Sequence, residues 1–320
     1  MRPAGPDDIQ ATLVTGATGI AGWHIADELE RRGMPVVRIS RRPQARGHSA
    51  DVTDPRAIEL LPDFAGLVHC AGLTPRIGTT TWTEFHRANV MASTLLAEEA
   101  VRRRARFFVY ISTGGRLGRR HSSRTVTRLY VISKYLAERR IREVLRGKVP
   151  ALSLRAASLY GEHDNGSMAR LIQGIGRGRF VLPTGGVVPK CLLYAGSLGT
   201  TVAEEIRPDR LRAWRAHAIA DVRAYTLAEV VAAVEDAVGR RARRLPVSPR
   251  VMSLGIGPLE SAGRLLRARP MIDLATGART AFAPAPCRRD NLLLEHHGPH
   301  VALTEGVRRE VEWMRASGAL

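Results

Sequence analysis

Lysine is almost missing from this chain. Of its 49 basic residues only Lys134, Lys148 and Lys190 are lysines, and with 30 acidic residues the arginines leave a formal charge of +19 over 320 residues. Aromatic residues are also scarce, at 5 %. The arginines are scattered, and too few rings interleave with them to make a base-stacking platform, which argues against a nucleic-acid partner. Two other sources of the charge stay open: Arg-biased codon usage in a GC-rich genome, and a field that draws a polyanionic cofactor and substrate. There are three cysteines, Cys70, Cys191 and Cys287. Their odd number and wide spacing predict neither a disulfide framework nor a zinc site, so no metal is expected and a reducing compartment fits. No apolar run approaches the roughly 20 residues that cross a bilayer. The N-terminal MRPAGPDDIQ has no apolar signal core, so no membrane association and a cytoplasmic location are the expectations.

Hydrophobic residues make up 44 % of the sequence and charged residues 25 %, enough for one large core or two unequal lobes. The chain is organised around Ala11–Gly22, ATLVTGATGIAG. An apolar run, Ala11–Val14, reads as a buried strand. It breaks into glycines at Gly16, Gly19 and Gly22, and Trp23–Arg32 has helical composition. Strand, glycine turn and helix in that order form a mononucleotide-binding unit. Such a turn lets phosphate reach backbone N–H groups, and the helix that follows turns its unpaired N–H groups and positive dipole end toward the pyrophosphate.

Val36–Ser40 reads as the second strand. A site for NAD usually carries Asp or Glu just after it, to accept from the ribose 2′-hydroxyl. This chain has Ser40-Arg41-Arg42. Guanidinium groups and a hydroxyl suit a 2′-phosphate, which a carboxylate would repel. The expected cofactor is therefore NADP(H), with NAD(H) as the alternative. Leu67–Ala71 reads as a further buried strand, with His69 a structural histidine. Glu84–Val101 reads as a helix carrying Asn89. Phe107–Ile111 is the next strand, followed by Ser112-Thr113-Gly114-Gly115, which sets a hydroxyl at the end where open parallel sheets bind ligands. Tyr130 and Lys134 fall at i and i+4, on one face of a helix running to about Leu145. A phenol has a pKa of roughly 10, and an ammonium one turn away is expected to lower it. Ala151–Ala157 and Ala216–Ala220 read as later strands.

The spacing Thr15-Gly16-x-x-Gly19-x-x-Gly22, with Leu67–Ala71, Asn89-Val90, Tyr130-x-x-x-Lys134 and Arg155–Gly161, resembles the extended short-chain dehydrogenase/reductases, the NAD(P)-dependent epimerase/dehydratase family. The resemblance is close over Ala11–Gly161 and looser beyond. It implies an α/β, Rossmann-like doubly wound parallel sheet with a smaller C-terminal substrate-binding lobe. The implied division is a cofactor domain over 1–161, with a returning strand at 216–220, and a mainly substrate-binding lobe over 162–320. It implies Thr113, Tyr130 and Lys134 as the catalytic set, with Ser112 as fallback and Gly118 closing the motif. Gly16, Thr18, Gly19, Ile20, Ser40, Arg41, Arg42, Asp51, Val52, Ala71, Gly72, Asn89, Tyr130 and Lys134 would bind the cofactor. Thr113 would also touch substrate. Lys190, in Lys190–Tyr194, falls where relatives hold a substrate phosphate, although Ser197 stands where they usually have Asp. The implied activity is hydride transfer between NADP(H) and a secondary alcohol or ketone on a nucleotide-diphosphate sugar, by a 4-ketoreductase or an epimerase, in a homodimer. A reductase of hydrophobic ketones and a non-catalytic NADP(H)-binding regulator or RNA-associated protein remain open.

Overall fold

The computed structural model describes residues 11–43, 47–75, 81–114, 125–183, 189–245 and 301–320. They form two compact units. One takes the residues up to 157 together with 195–219; the other takes 158–194 and the described residues from 220 onward. Residues 115–118 and 251–268, which the sequence reading touched, lie outside the described residues.

The chain begins with β1 (Thr12–Thr15), α1 (Ile20–Arg31), β2 (Val36–Ser40), β3 (His48–Ser49), α2 (Pro55–Glu59) and β4 (Gly66–His69). It continues through α3 (Trp82–Phe85), a π-helical turn (His86–Met91), α4 (Ala92–Arg102), β5 (Phe107–Thr113), α5 (Thr125–Leu145) and β6 (Ala151–Ala156). The second unit then receives β7 (Ser158–Tyr160), α6 (Ser167–Gly176), β8 (Val181–Pro183), β9 (Pro189–Lys190) and β10 (Leu192–Tyr194). The chain returns to the first unit with α7 (Ala195–Glu205) and β11 (Trp214–Ile219). It ends in the second with β12 (Tyr225–Thr226), α8 (Leu227–Val238), β13 (Arg243–Leu245) and α9 (Leu303–Ala316).

Seven strands of the first unit form one sheet in the order β11-β6-β5-β4-β1-β2-β3, parallel throughout. From β1 the chain winds outward one way to β3, then restarts at β4 and winds the other way. The reversal between β1 and β4 opens the crevice in which doubly wound sheets take their ligands. The strands are apolar on both faces because helices cover both: β1 and β4 are buried along their whole length. Leu13, Ile39, Leu67, Phe108 and Ile141 join one core. The strand expected at 216–220 is β11, two residues earlier, beside β6.

In the second unit, Tyr160, Ile172, Val231, Val307 and Met314 share a separate core. A capping box opens α8, with Thr226 and Glu229 bonding each other's backbone N–H. Two expectations need correction. The helix read as continuous over Glu84–Val101 is broken by the π-turn at His86–Met91. Cys191, in a chain expected to carry no disulfide framework, is disulfide-bonded, whereas Cys70 is free. No periodicity signals either feature, since both depend on groups brought together from a distance.

Candidate active site

The glycine turn is built by contact rather than by flexibility alone. Gly16 has φ +69°, and a Cβ there would lie 2.7 Å from the Ala71 nitrogen. A Cβ at Gly22 would lie 2.4 Å from the Gly16 carbonyl oxygen. Side chains at either point would push α1 off the turn or the turn off the end of β4. Gly19 is the N-cap of α1; it offers no side-chain cap, and the first turn of the helix holds no acid. The N–H groups and positive end of α1, flanked by Thr18 and Ile20, are thus left to an external anion.

At the end of β2, Ser40 is buried and its hydroxyl donates to the Arg42 carbonyl at 2.5 Å. Ser40 therefore shapes the turn that carries Arg41 and Arg42, both exposed. Asp51 accepts from the Thr53 N–H at 2.9 Å. Burial works to raise the Asp51 pKa, but the Thr53 N–H and hydroxyl, with Arg41 and Arg87, hold it below the usual carboxylate range. Val52 beside it is buried.

Thr113 ends β5, and its side chain acts to lower the pKa of the Tyr130 phenol on α5. Lys134, one turn along α5, is buried, with Nζ 4.3 Å from the Tyr110 ring centroid. A Cβ on Gly72 would lie 3.7 Å from that Nζ and 3.1 Å from Asn89 Oδ1. Asn89 is fully buried on the π-turn. Its Oδ1 accepts from Leu73 N–H at 2.6 Å, and its Nδ2 donates to the Leu73 carbonyl at 3.1 Å and to Ser133 Oγ at 2.9 Å. Ser133 in turn donates to the Tyr130 carbonyl at 2.7 Å. Asn89 thus joins the loop after β4 to the helix of Tyr130. π-Turns recur at functional sites because they re-aim a side chain in this way.

The charge states differ from expectation. Burial pushes the Tyr130 phenol up to about 12, against the Thr113 side chain, which lowers it. Burial also brings the Lys134 ammonium down to about 8, opposed by Cys70 and Glu138. Sharing a helix face did not make the ammonium the phenol's charge partner: desolvation outweighs the electrostatic help that the i, i+4 spacing promised. Glu138, a turn beyond Lys134, is held by Arg155 of β6 through bonds that include 3.1 Å contacts from Nε to both carboxylate oxygens.

Sequence reasoning gave no part to Ser93, Ser133, Glu138 or Tyr110. Only the i+3 position of Ser133 after Tyr130 carries a local signal; the others reach the crevice through tertiary packing. In the second unit, Lys190 sits half-buried on β9, and burial lowers its ammonium to about 8. The same unit holds an acidic cluster. Glu310 accepts from Gly161 N–H at 2.8 Å and is raised to about 9, by burial and by the neighbouring Asp164 charge, against that N–H. Asp221 accepts from Tyr194 N–H at 3.1 Å and from the Tyr160 hydroxyl at 3.2 Å. Burial raises it to about 6 against these donors and Tyr225.

A parallel sheet wound both ways from β1, with a glycine-lined helix end at the reversal, defines a Rossmann-type nucleotide-binding protein. Residues 12–193, more than half of the chain, match the model of the NAD dependent epimerase/dehydratase family. The chain belongs to that family and is an NAD(P)-dependent enzyme of this type. Comparison with curated proteins gives no match. Among solved structures, it is similar to MoeE5 in complex with UDP-glucose and NAD (TM-score 0.71, 20 % identity, 96 % of this chain and 99 % of that one). It is similar to UDP-glucose 4-epimerase of Thermotoga maritima with UDP-glucose (TM-score 0.73, 17 % identity, 96 % and 99 %). A third likeness is to UDP-glucuronic acid 4-epimerase of Bacillus cereus with UDP-glucuronic acid and NAD (TM-score 0.71, 16 % identity, 96 % and 100 %). At such identities the likeness concerns the fold. Among the described residues no helix is long and apolar enough to cross a membrane.

Proposed function

We propose that this enzyme transfers hydride between NADP(H) and a secondary alcohol or ketone on a nucleotide-diphosphate sugar, as a 4-ketoreductase or an epimerase. The observation that carries the reading is the placement of Thr113 at the C-terminal end of β5 and of Tyr130 and buried Lys134 one turn apart on α5, with Thr113 acting to lower the Tyr130 pKa. The residues fit a dinucleotide. The uncapped, acid-free end of α1 suits the pyrophosphate, and the exposed Arg41 and Arg42, with no acid at the end of β2, suit a 2′-phosphate. The Lys134 ammonium, close to Gly72, suits the ribose hydroxyls. When bound, the nicotinamide supplies or accepts the hydride. Tyr130 holds the proton on its phenol oxygen and exchanges it with the substrate oxygen. Thr113 hydrogen-bonds that oxygen and stabilises charge developing on it. Lys134, with a pKa near 8, is poised to gain or lose a proton near neutrality. Lys190 meets a substrate phosphate. The sugar nucleotide follows from the family and from the UDP-sugars held by similar structures.

Tyr130→Phe tests this. It leaves the fold and dinucleotide binding nearly intact and removes the exchangeable proton. Turnover of a nucleotide-sugar panel, followed at the nicotinamide absorbance, is expected to fall roughly 10²–10⁴-fold. Turnover within a few-fold of the native enzyme overturns the assignment.

A further inference from the structure

The expectation that His69 is structural leaves unexplained a chain of hydrogen bonds that runs through it. His69 is fully buried. Its Nε2 lies 2.8 Å from Ser93 Oγ, and its Nδ1 lies 2.7 Å from Thr15 Oγ1. The tautomer follows from how the hydroxyl protons are used. Ser93 donates its proton to the Asn89 carbonyl at 2.6 Å, so Ser93 Oγ accepts from His69 Nε2–H. Nδ1 then has no proton and accepts from the Thr15 hydroxyl, whose oxygen accepts from Ala71 N–H at 3.2 Å. Every donor points the same way, from Ala71 through Thr15, His69 and Ser93 to Asn89. A second proton on the ring would face a hydroxyl whose oxygen already accepts from Ala71. Burial first, and then the Lys134 charge, hold His69 neutral, with its pKa brought down to about 3.

The far end of the chain meets the π-turn. A π-turn replaces i→i+4 bonds with i→i+5 bonds, and here side-chain hydroxyls add further donors to its carbonyls. Ser93 supplies one to Asn89, and Thr94 supplies the next, to the Val90 carbonyl at 2.9 Å. The turn thus rests partly on hydroxyls, and the first of these is oriented by His69. From Asn89 the contacts continue through Ser133 to the Tyr130 backbone. The near end is the last residue of β1, directly before the glycine turn.

We propose that His69 is a positioning residue: in its neutral, Nε2-protonated form it fixes Ser93, and through it the π-turn that sets Asn89 between the loop after β4 and the helix of Tyr130. The coupling to catalysis rests on the function proposed above; the hydrogen-bond polarity and its hold on the π-turn do not. His69 touches neither cofactor nor substrate in this role. It links the end of β1, where the dinucleotide phosphates would sit, to the helix that carries the proton-exchanging phenol.

The test has arms that separate the two readings. In the native protein without ligand, long-range ¹⁵N correlation of the His69 ring is expected to show the Nε2–H tautomer with no titration above pH 5; an Nδ1–H ring overturns the proposal. Ser93→Ala is expected to speed amide exchange at Leu73 N–H, which Asn89 Oδ1 holds, by tenfold or more, while amides of β1 and β5 change little. Unchanged Leu73 exchange overturns it. With cofactor and substrate, Ser93→Ala and His69→Leu are expected to lower kcat by tenfold or more, with dinucleotide Kd altered less than threefold. His69→Gln, whose amide offers one acceptor and one donor, is expected to restore most of the loss. Native kcat in His69→Leu, with Tyr130→Phe inactive, sinks the inference and leaves the function standing. Active Tyr130→Phe sinks the function, and the tautomer and exchange results then decide the structural claim alone.

Discussion

Two buried ionisable clusters, one in each unit, respond to burial in opposite senses. In the crevice of the first unit the buried groups are bases: Lys134 is lowered to about 8 and His69 to about 3. In the second unit they are acids: Glu310 is raised to about 9 and Asp221 to about 6. Desolvation disfavours whichever form is charged, so the same cause removes protons from one cluster and adds them to the other. The partners differ as well. The acids bond to backbone N–H groups and a tyrosine hydroxyl within their own unit, and the second Glu310 oxygen stays buried without a hydrogen-bond partner among the described residues. Lys134 instead lies buried with its Nζ over the Tyr110 ring and near Gly72. The first cluster lies at the crevice of the sheet, whereas the second ties loop to strand within its own unit.

The comparison is broken most sharply by removing the ammonium. Lys134→Met is expected to cut turnover roughly 10²–10⁴-fold. Its stability effect carries a sign. The Lys134 pKa is about 8 in the folded chain against an ordinary 10.5, so between these values the unfolded chain binds more protons and stability rises with pH. Urea melts of the native protein minus those of the variant should show that rise between pH 8 and 10.5. A flat difference refutes the lowered pKa.

Arg41 and Arg42, exposed cations of the same unit, give a contrast. Replacing both with alanine is expected to weaken NADPH by tenfold or more, because a charge-assisted contact contributes about 1.5–3 kcal/mol, and to change NADH less than threefold. Equal losses, read by fluorescence titration, remove the 2′-phosphate assignment.

The smallest effect lies in the acidic cluster. The Glu310 pKa is raised from 4.5 to about 9. The folded chain therefore binds more protons over that interval, and the group's contribution, complete below pH 4.5, is lost as pH rises through 9. Glu310→Gln can keep the bond from Gly161 without a charge. At pH 9 it is expected to exceed the native protein in stability, and to match it near pH 4.5. A difference independent of pH means Glu310 is ionised when folded.

Much of the candidate site was legible in the chain. Gly16, Gly19 and Gly22 mark the turn by spacing alone. Tyr130 and Lys134 share a helix face by periodicity, and Thr113 closes a strand visible as FFVYIS. Such signals are local, because a strand or helix repeats within a few residues and a tight turn restricts the residues it accepts. The His69 bridge was not legible. Its partners stand 54 and 24 residues away, and neither spacing repeats anything. The π-turn escaped as well, because a helix and a helix with one widened turn share nearly the same apolar pattern.

The sequence by itself pointed to the doubly wound sheet, the glycine-lined helix end and the family, through short-range motifs and the family resemblance they carry. Only the tertiary structure decided the protonation of the crevice. It placed the phenol near 12 and the ammonium near 8, bonded Cys191, and gave Asn89 its seat. The physical reason is that a pKa or a buried hydrogen bond depends on water excluded by distant segments, and exclusion exists only once those segments have packed.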